Sequence, residues 1–197
     1  MPFSAARLAL ALTLRALPLA AQNIATPVRA GSLDRVQWFA YATAGPASTM
    51  GGLISGGYGV LTHQPPEYPP NTKGFGQRFG MRLTGVATGN AINASLGALW
   101  GEDPRYARHG GPEFGARVKR IVGHTFVTRY RDGETRFAWA RLAGNVGNNS
   151  LSNLWRVDSE VGVRPTVERI SFGFLGQMAG NAFAEFWPDV KKKIGRR

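Results

Sequence analysis

Three histidines, His63, His109 and His124, and no cysteine occur among the 197 residues, so thiolate catalysis, a cysteine zinc site and a disulfide framework are all excluded. No histidine lies three or four residues from another, which removes the HExxH type of metal helix. Two acidic pairs invite a catalytic reading, Glu102 beside Asp103, and Glu185 one turn from Asp189 across Pro188. Two carboxylates facing each other across a cleft can hydrolyse a glycan. On that basis Glu102, Asp103 and His109 are the candidates for a hydrolase of envelope polymers. The same residues have a structural use, and it is the favoured one. Glu102 and Asp103 would cap a helix or pair with Arg105 in a loop Glu102-Asp-Pro-Arg-Tyr106, and Glu185 or Asp189 would pair with the basic C-terminal residues. No serine sits in G-x-S-x-G and no glycine run carries GK[ST]. Trp100, Trp155 and Trp187 suit core packing or an interfacial belt. No catalytic residue, metal ligand or cofactor is assigned.

The charge balance points to a partner. There are 24 Lys+Arg against 12 Asp+Glu, a net charge of +12. Such an excess favours anionic nucleic acid, lipid or polysaccharide. At the N-terminus, a short basic segment to Arg7 precedes the apolar Leu8-Ala-Leu-Ala-Leu-Thr-Leu14, and Leu17-Pro-Leu-Ala-Ala21 resembles a signal-peptidase site. The expectation is a signal peptide over 1–21, a periplasmic or envelope location with membrane association, and a partner that is an anionic lipid or glycan surface. Nucleic acid, contacted through Arg117–Arg141, is the alternative for a chain that is not exported. A homo-oligomer is compatible with all of these.

The elements that must carry these groups are mainly helices. Ser32-Leu-Asp34 predicts a helix start with Ser32 as N-cap, and Val36–Pro66 contains no Asp, Glu, Lys or Arg. Residues 63–70, with four prolines within six positions, predict a stiff extended connector. A helix is expected from Gly74 to Trp100, ended by Pro104. Pro112 should occupy the first position of a basic helix. Asp132-Gly133, between Phe126–Tyr130 and Thr135–Phe137, predicts a short hairpin. Further helices are expected over Ala138–Trp155 and Thr166–Trp187, with a loop at Val157–Pro165 and a stop at Pro188. Residues 191–197 read as a basic tail. The fold class is mainly α, a Gly/Asn-rich bundle of four to five helices with one β-hairpin, in a single domain over 22–197.

A repeat lies within the helices. Gly89–Trp100 and Gly144–Trp155 match at seven of twelve positions, with Gly180-Asn-Ala182 and Phe186-Trp187 as a shortened third copy. Gly85, Gly89, Asn93, Gly97 and Gly101 recur every four residues and so share a helix face, as do Gly144, Asn148 and Ser152, and Gly176, Gly180 and Ala184. Each mid-helix glycine costs about 0.5–1 kcal/mol against alanine. Close approach of a neighbouring helix, a glycine-zipper contact, would offset that cost. Gly52 and Gly56 begin a similar row.

The segments Glu102–Tyr106, Phe126-Val-Thr-Arg129 with Asp132-Gly133, and Glu185-Phe-Trp-Pro-Asp-Val-Lys191 together resemble a family of uncharacterised exported bacterial proteins. That family alternates a Gly/Ala-rich helical region with an EDPRY-like motif and ends in EFWPD-[IV]-[KR]. The resemblance covers residues 74–193 and departs from the pattern at Ala138-Trp-Ala-Arg141. It implies an extracytoplasmic setting and lends no catalytic residue. The favoured function is a non-enzymatic envelope protein, peripheral or partly embedded. Lys191, Lys192, Lys193, Arg196 and Arg197 would contact the anionic surface.

Overall fold

The computed structural model describes residues 30–195, so the expected signal segment 1–21 and the tail residues Arg196 and Arg197 lie outside the described residues. The chain is mainly helical. Helix α1, Ser32–Ala44, begins one residue earlier than expected. Gly31 is its N-cap, and Asp34 accepts a bond from the Gly31 N–H at 3.0 Å. That carboxylate at the third helical position satisfies a donor which Ser32 leaves unmet. Gly45 breaks the chain, and Pro46 opens α2, Pro46–Leu61, where its missing N–H costs nothing.

Residues 63–70 are not an extended connector. They curl around the buried Arg78, whose guanidinium donates to the carbonyls of Gln64, Pro65, Tyr68 and Pro69 at 2.7, 3.1, 2.8 and 3.0 Å. Prolines lack a donor but keep an acceptor, and five guanidinium N–H groups can collect several acceptors at once. The Gln64–Pro65 peptide is cis.

Helix α3, Thr72–Trp100, is capped by Asn71 and closed by Gly101 at φ 83°, a left-handed conformation that glycine adopts without strain. Helix α4 spans Phe114–Phe126. Pro112 therefore lies outside it, because the preceding backbone, with Gly111 at φ 102°, is held in a loop. Strands β1 (Val127–Arg129) and β2 (Thr135–Phe137) pair antiparallel in the register Val127–Phe137, Thr128–Arg136 and Arg129–Thr135. Helix α5, Trp139–Leu151, follows directly and ends in a 3₁₀ turn over Ser152–Leu154. A second 3₁₀ turn, Asp158–Glu160, occupies part of the expected loop.

The last helix, α6, covers Val163–Ile194. It starts before Thr166, since Pro165 fits a first turn, and it does not stop at Pro188. Arginines bound to the preceding turn hold it together there, as described below. Residues 191–194 are thus helix rather than a free tail.

The two repeat copies pack on each other. Gly85 lies against Asn148, Gly89 against Gly144, and Gly97 against Ala140, so α3 and α5 run antiparallel. A Cβ at Gly89 would sit 3.2 Å from the Gly144 carbonyl oxygen, and one at Gly144 would sit 2.6 Å from that of Gly89. Asn148 flanks Gly89 at 3.4 Å as its counterpart Asn93 flanks Gly144 at 3.2 Å, so the contact has a local two-fold character. Ser152 is fully buried and bonds to the Asn149 carbonyl. Gly52 and Gly56 instead receive the Phe79 and Phe75 rings of α3. The third row is different: a Cβ at Gly176 or Gly180 would meet nothing within 4 Å, so these two are not close-contact positions.

The interior is polar. Among the described residues, the buried hydrophobic side chains include Tyr68, Ile121, Ala138 and Ala140, whereas Arg78, Asn93, Glu102, Arg117, Arg141, Asn149, Asn181 and Glu185 are among the buried polar ones. Side chains bond from helix to helix. Asn90 reaches Thr43 at 3.1 Å, Asn145 reaches the Ile170 carbonyl at 2.9 Å, and Asn181 reaches the Ile121 carbonyl at 3.3 Å. Among the described residues, no helix is long and apolar enough to cross a membrane.

Gly144→Ala is expected to destabilise by about 1–3 kcal/mol in urea unfolding, since overpacking outweighs the better helix propensity. Gly180→Ala, with open space at its Cβ, should be neutral or stabilising by about 0.5–1 kcal/mol.

Candidate functional site

Two buried carboxylates organise the polar interior, and the loop 101–113 joins them. Glu102 is nearly inaccessible, and its carboxylate accepts the Tyr130 hydroxyl at 2.7 Å and the Ala140 N–H at 3.0 and 3.1 Å. It thereby caps the N-terminus of α5, where free N–H groups and the helix dipole favour a negative charge. Burial, and then the bond to Glu102, pushes the Tyr130 phenol up to about 12. The Glu102 carbonyl accepts from Arg35 at 2.7 Å. Asp103 is gripped by Arg105 at 2.8 Å and pairs with the hairpin, its N–H donating to the Arg129 carbonyl at 2.9 Å. Arg105 also approaches Asp34 at 3.7 Å, tying this loop to the start of α1.

Glu185 has no exposed surface. One carboxylate oxygen accepts from the Gly110 N–H at 3.0 Å and Arg117 Nε at 2.9 Å. The other accepts from the Tyr106 hydroxyl at 3.1 Å and the His109 N–H at 3.4 Å. Its backbone carbonyl accepts from Arg108 Nε at 2.9 Å and Arg117 Nη2 at 2.7 Å. Asp189 takes the other ends of the same guanidiniums, at 2.7 Å from Arg108 and 2.6 Å from Arg117. Pro188 cannot donate to the carbonyl four residues before it and loosens that turn. Arg108 and Arg117 brace that turn from outside, since each bonds both the Glu185 carbonyl and the Asp189 carboxylate on either side of Pro188. Arg117 also lies over the Phe186 ring, 4.2 Å from its centroid.

Among the described residues, Glu185 and Asp189 therefore pair with Arg117 and Arg108, not with Lys191, Lys192 or Lys193. The Arg117 bond, followed by the charge of Arg108, holds the Asp189 carboxyl below its ordinary range. Burial, and then the Glu185 charge, drives the Tyr106 phenol well above the tyrosine range.

His109 and His124 meet above this cluster. Their ring centroids are 5.7 Å apart, and Tyr106 packs edge-on to His124 at 5.3 Å. Burial is the main cause lowering the His124 pKa, and the nearby His109, Arg141 and Arg120 add to it, against Glu185. Cationic neighbours make this pair a poor metal site, and among the described residues no group of three His, Cys, Asp or Glu could hold an ion. Glu102, Asp103 and His109, the hydrolase candidates, do not converge. Glu102 faces Tyr130 and α5, while His109 lies over Glu185. Arg117 and Arg141 are buried, with Arg141 donating to the carbonyls of His124, Thr125 and Val127 at the end of α4. Of the basic run Arg117–Arg141, Arg117 and Arg141 are thus spent inside the protein, while Lys119, Arg129 and Arg136 stay exposed.

Lys191, Lys192 and Lys193 are exposed on the last turns of α6, and Lys191 Nζ lies 5.8 Å from the centre of the Trp187 ring. Trp187 stacks on Phe183 at 5.0 Å. An open cleft of about 300 Å³, lined by Trp100, Tyr130, Arg131, Asp132 and Arg136, lies beside the hairpin. Its Arg136 is paired with Asp132 and Glu134. The sequence reading missed Arg78, Arg117 and Arg108 as interior residues. Arg78 carried a signal, a cation at helical spacing between Phe75, Phe79 and Arg82 in a glycine-rich run. Comparison with protein-family models, curated proteins and solved structures finds no match.

Two outcomes follow from this geometry. Glu185→Ala leaves Arg117 buried beside an empty partner position and should cost about 3–5 kcal/mol; Asp189→Ala, at a half-exposed position, should cost less in the same urea titration. The second outcome concerns pH. The fold holds the His124 pKa below the ordinary 6.5, so it favours the neutral ring, and the unfolded chain binds the proton more readily. Its contribution is complete above 6.5 and is lost as pH falls through the lowered folded value. Stability should therefore decline as pH falls below 6.5, and His124→Gln should flatten that decline; an unchanged slope would show that another group titrates there. The Asp189 contribution disappears only at lower pH, below the ordinary carboxyl value of 3.8.

Proposed function

We propose that this is a non-enzymatic protein of the bacterial envelope, exported and lying on an anionic membrane surface. The observation that carries the reading is the inverted distribution of polarity. Charged and amide side chains fill the interior, while Leu33, Met50, Ile54, Tyr58, Leu61, Phe114, Phe172, Leu175 and Ile194 are exposed. In water such an arrangement is costly, since each buried polar group must be paired and each exposed large apolar group gains nothing. Against a lipid surface the outside becomes favourable. The resemblance to exported bacterial proteins and the basic composition support the same setting.

The end of α6 supplies the headgroup contact. Lys191, Lys192 and Lys193 lie beside the exposed Val190 and Ile194 and one turn from Trp187, an order that puts ammonium groups at phosphate depth and apolar groups below them. Glu102 and Asp103 have structural work in this reading, one capping α5 and the other bracing Arg105.

Each lysine near an anionic surface contributes about 1 kcal/mol. Replacing Lys191, Lys192 and Lys193 together by Gln should weaken binding to phosphatidylglycerol vesicles roughly 100-fold. Flotation across a salt series measures it, and wild-type binding should fall as salt rises. Equal flotation of the triple variant would remove the α6 end from the binding surface. Binding to soluble acidic polysaccharide but to no vesicle would replace lipid by glycan as the partner.

A further inference from the structure

We propose that the outer face of α2, continued by that of α1, is the part of this protein that enters the acyl layer, with α2 lying in the plane of the membrane. The proposal rests on the membrane reading above and names the inserted element. From Val36 to Pro66 the chain carries no Asp, Glu, Lys or Arg, and these residues include all of α2 and most of α1. The two sides of α2 have separate tasks. Gly52, Gly56 and Gly59 are buried and receive the Phe79, Phe75 and Arg78 side chains of α3. On the opposite side Met50, Leu53, Ile54 and Leu61 are 58, 47, 66 and 80% exposed. At 100° per residue these four fall within one arc, centred about half a turn from the glycines. Leu33 and Val36 on α1 are exposed as well.

The charge pattern selects the occupant. A protein partner would be met by a rim of charged and hydrogen-bonding side chains around the apolar centre, and that rim sets its register. The α2 part of this face has no charged residue of its own. An acyl layer requires none. The nearest cations in sequence, Arg35 before the stretch and Lys73 after it, bracket the uncharged residues, and Lys73 is exposed. Lys73 complements an anionic headgroup at the edge of an inserted helix. Sixteen residues at 1.5 Å per residue make α2 about 24 Å long, short of the roughly 30 Å hydrocarbon core. A helix of that length buries one face to about 5–10 Å instead of spanning.

The absence of native cysteine makes the test direct. Ile54→Cys and, separately, Leu53→Cys would carry an environment-sensitive nitrobenzoxadiazole probe, with Glu134→Cys on the exposed hairpin as the control. Vesicles of phosphatidylcholine with phosphatidylglycerol, some bearing nitroxide on the acyl chain, report immersion. The expected result is a blue shift and nitroxide quenching at 53 and 54, with neither at 134. The same spectra should appear for whatever fraction of the Lys191, Lys192 and Lys193→Gln protein is bound. Unchanged emission at both sites in protein shown by flotation to be vesicle-bound overturns the α2 proposal and leaves the α6 contact standing. Failure of the full protein to float with any vesicle overturns both. A blue shift that grows with protein concentration in the absence of lipid assigns the face to a second copy of the chain, and also overturns it.

Discussion

A carboxylate with no access to water must be satisfied on every side, and Glu185 imposes that requirement on three separate parts of the chain. Its two oxygens take the Tyr106 hydroxyl, two backbone N–H groups of the loop and the Arg117 guanidinium. The loop must fold over α6 to present those donors, and α4 must lie alongside to bring Arg117. Arg117 then completes its own set on the Glu185 carbonyl and Asp189. Those bonds hold the helix across Pro188. Remove the carboxylate and each member loses its reason for being where it is. Buried ionic clusters of this kind are costly to assemble and costly to break, so they fix one arrangement more firmly than they add net stability.

The same logic runs through the other interfaces in weaker form. Where a larger apolar side chain would ordinarily fill the space between helices, this chain uses glycine to bring backbones together and asparagine to bond across. Gly89 and Gly144 face each other, and Gly173 admits Asn145, which then reaches the Ile170 carbonyl. Cohesion therefore comes from directional contacts at short range. Glycine loses helix propensity at each such site, and the gain from the close contact has to exceed that loss. Gly176 and Gly180 show the limit of reading such rows by spacing alone. They have the right period but face no neighbour.

Elements with a local cause were legible in the sequence. The hairpin follows from Asp132-Gly133 and the Asp103–Arg105 pair from two residues of separation; α3 ends at Trp100 as expected, but Gly101 rather than Pro104 closes it, and Asn71 starts it two residues before Gly74. Gly89 and Gly144 could be matched because the repeat itself announces them. The failures share one cause, a long-range partner. Pro188 weakens a helix by its own chemistry, and the bracing by Arg108 and Arg117 comes from some seventy to eighty residues away in sequence. The prolines of 63–70 favour extension until Arg78 gathers their carbonyls. Pro112 suits a first helical position, but the loop before it is claimed by Glu185. Glu102 could be foreseen as a cap, whereas α5 as the helix it caps could not, since the two are 38 residues apart.

The short loop between α3 and α4 is where these local and long-range demands meet. At one end Glu102 caps α5 and receives Tyr130, fastening the loop to the hairpin and to the α3–α5 pair. At the other, Tyr106, His109 and Gly110 fasten it to α6. One loop thus links the glycine-packed helices to the arginine-packed ones, and each link is a buried carboxylate. Because cohesion is supplied from within by these bonds, the large apolar side chains are not needed to hold the helices together. They are left on the outside, where contiguous apolar surface marks a site of interaction. The polar interior and the apolar exterior are therefore two consequences of a single division of labour, with the first permitting the second.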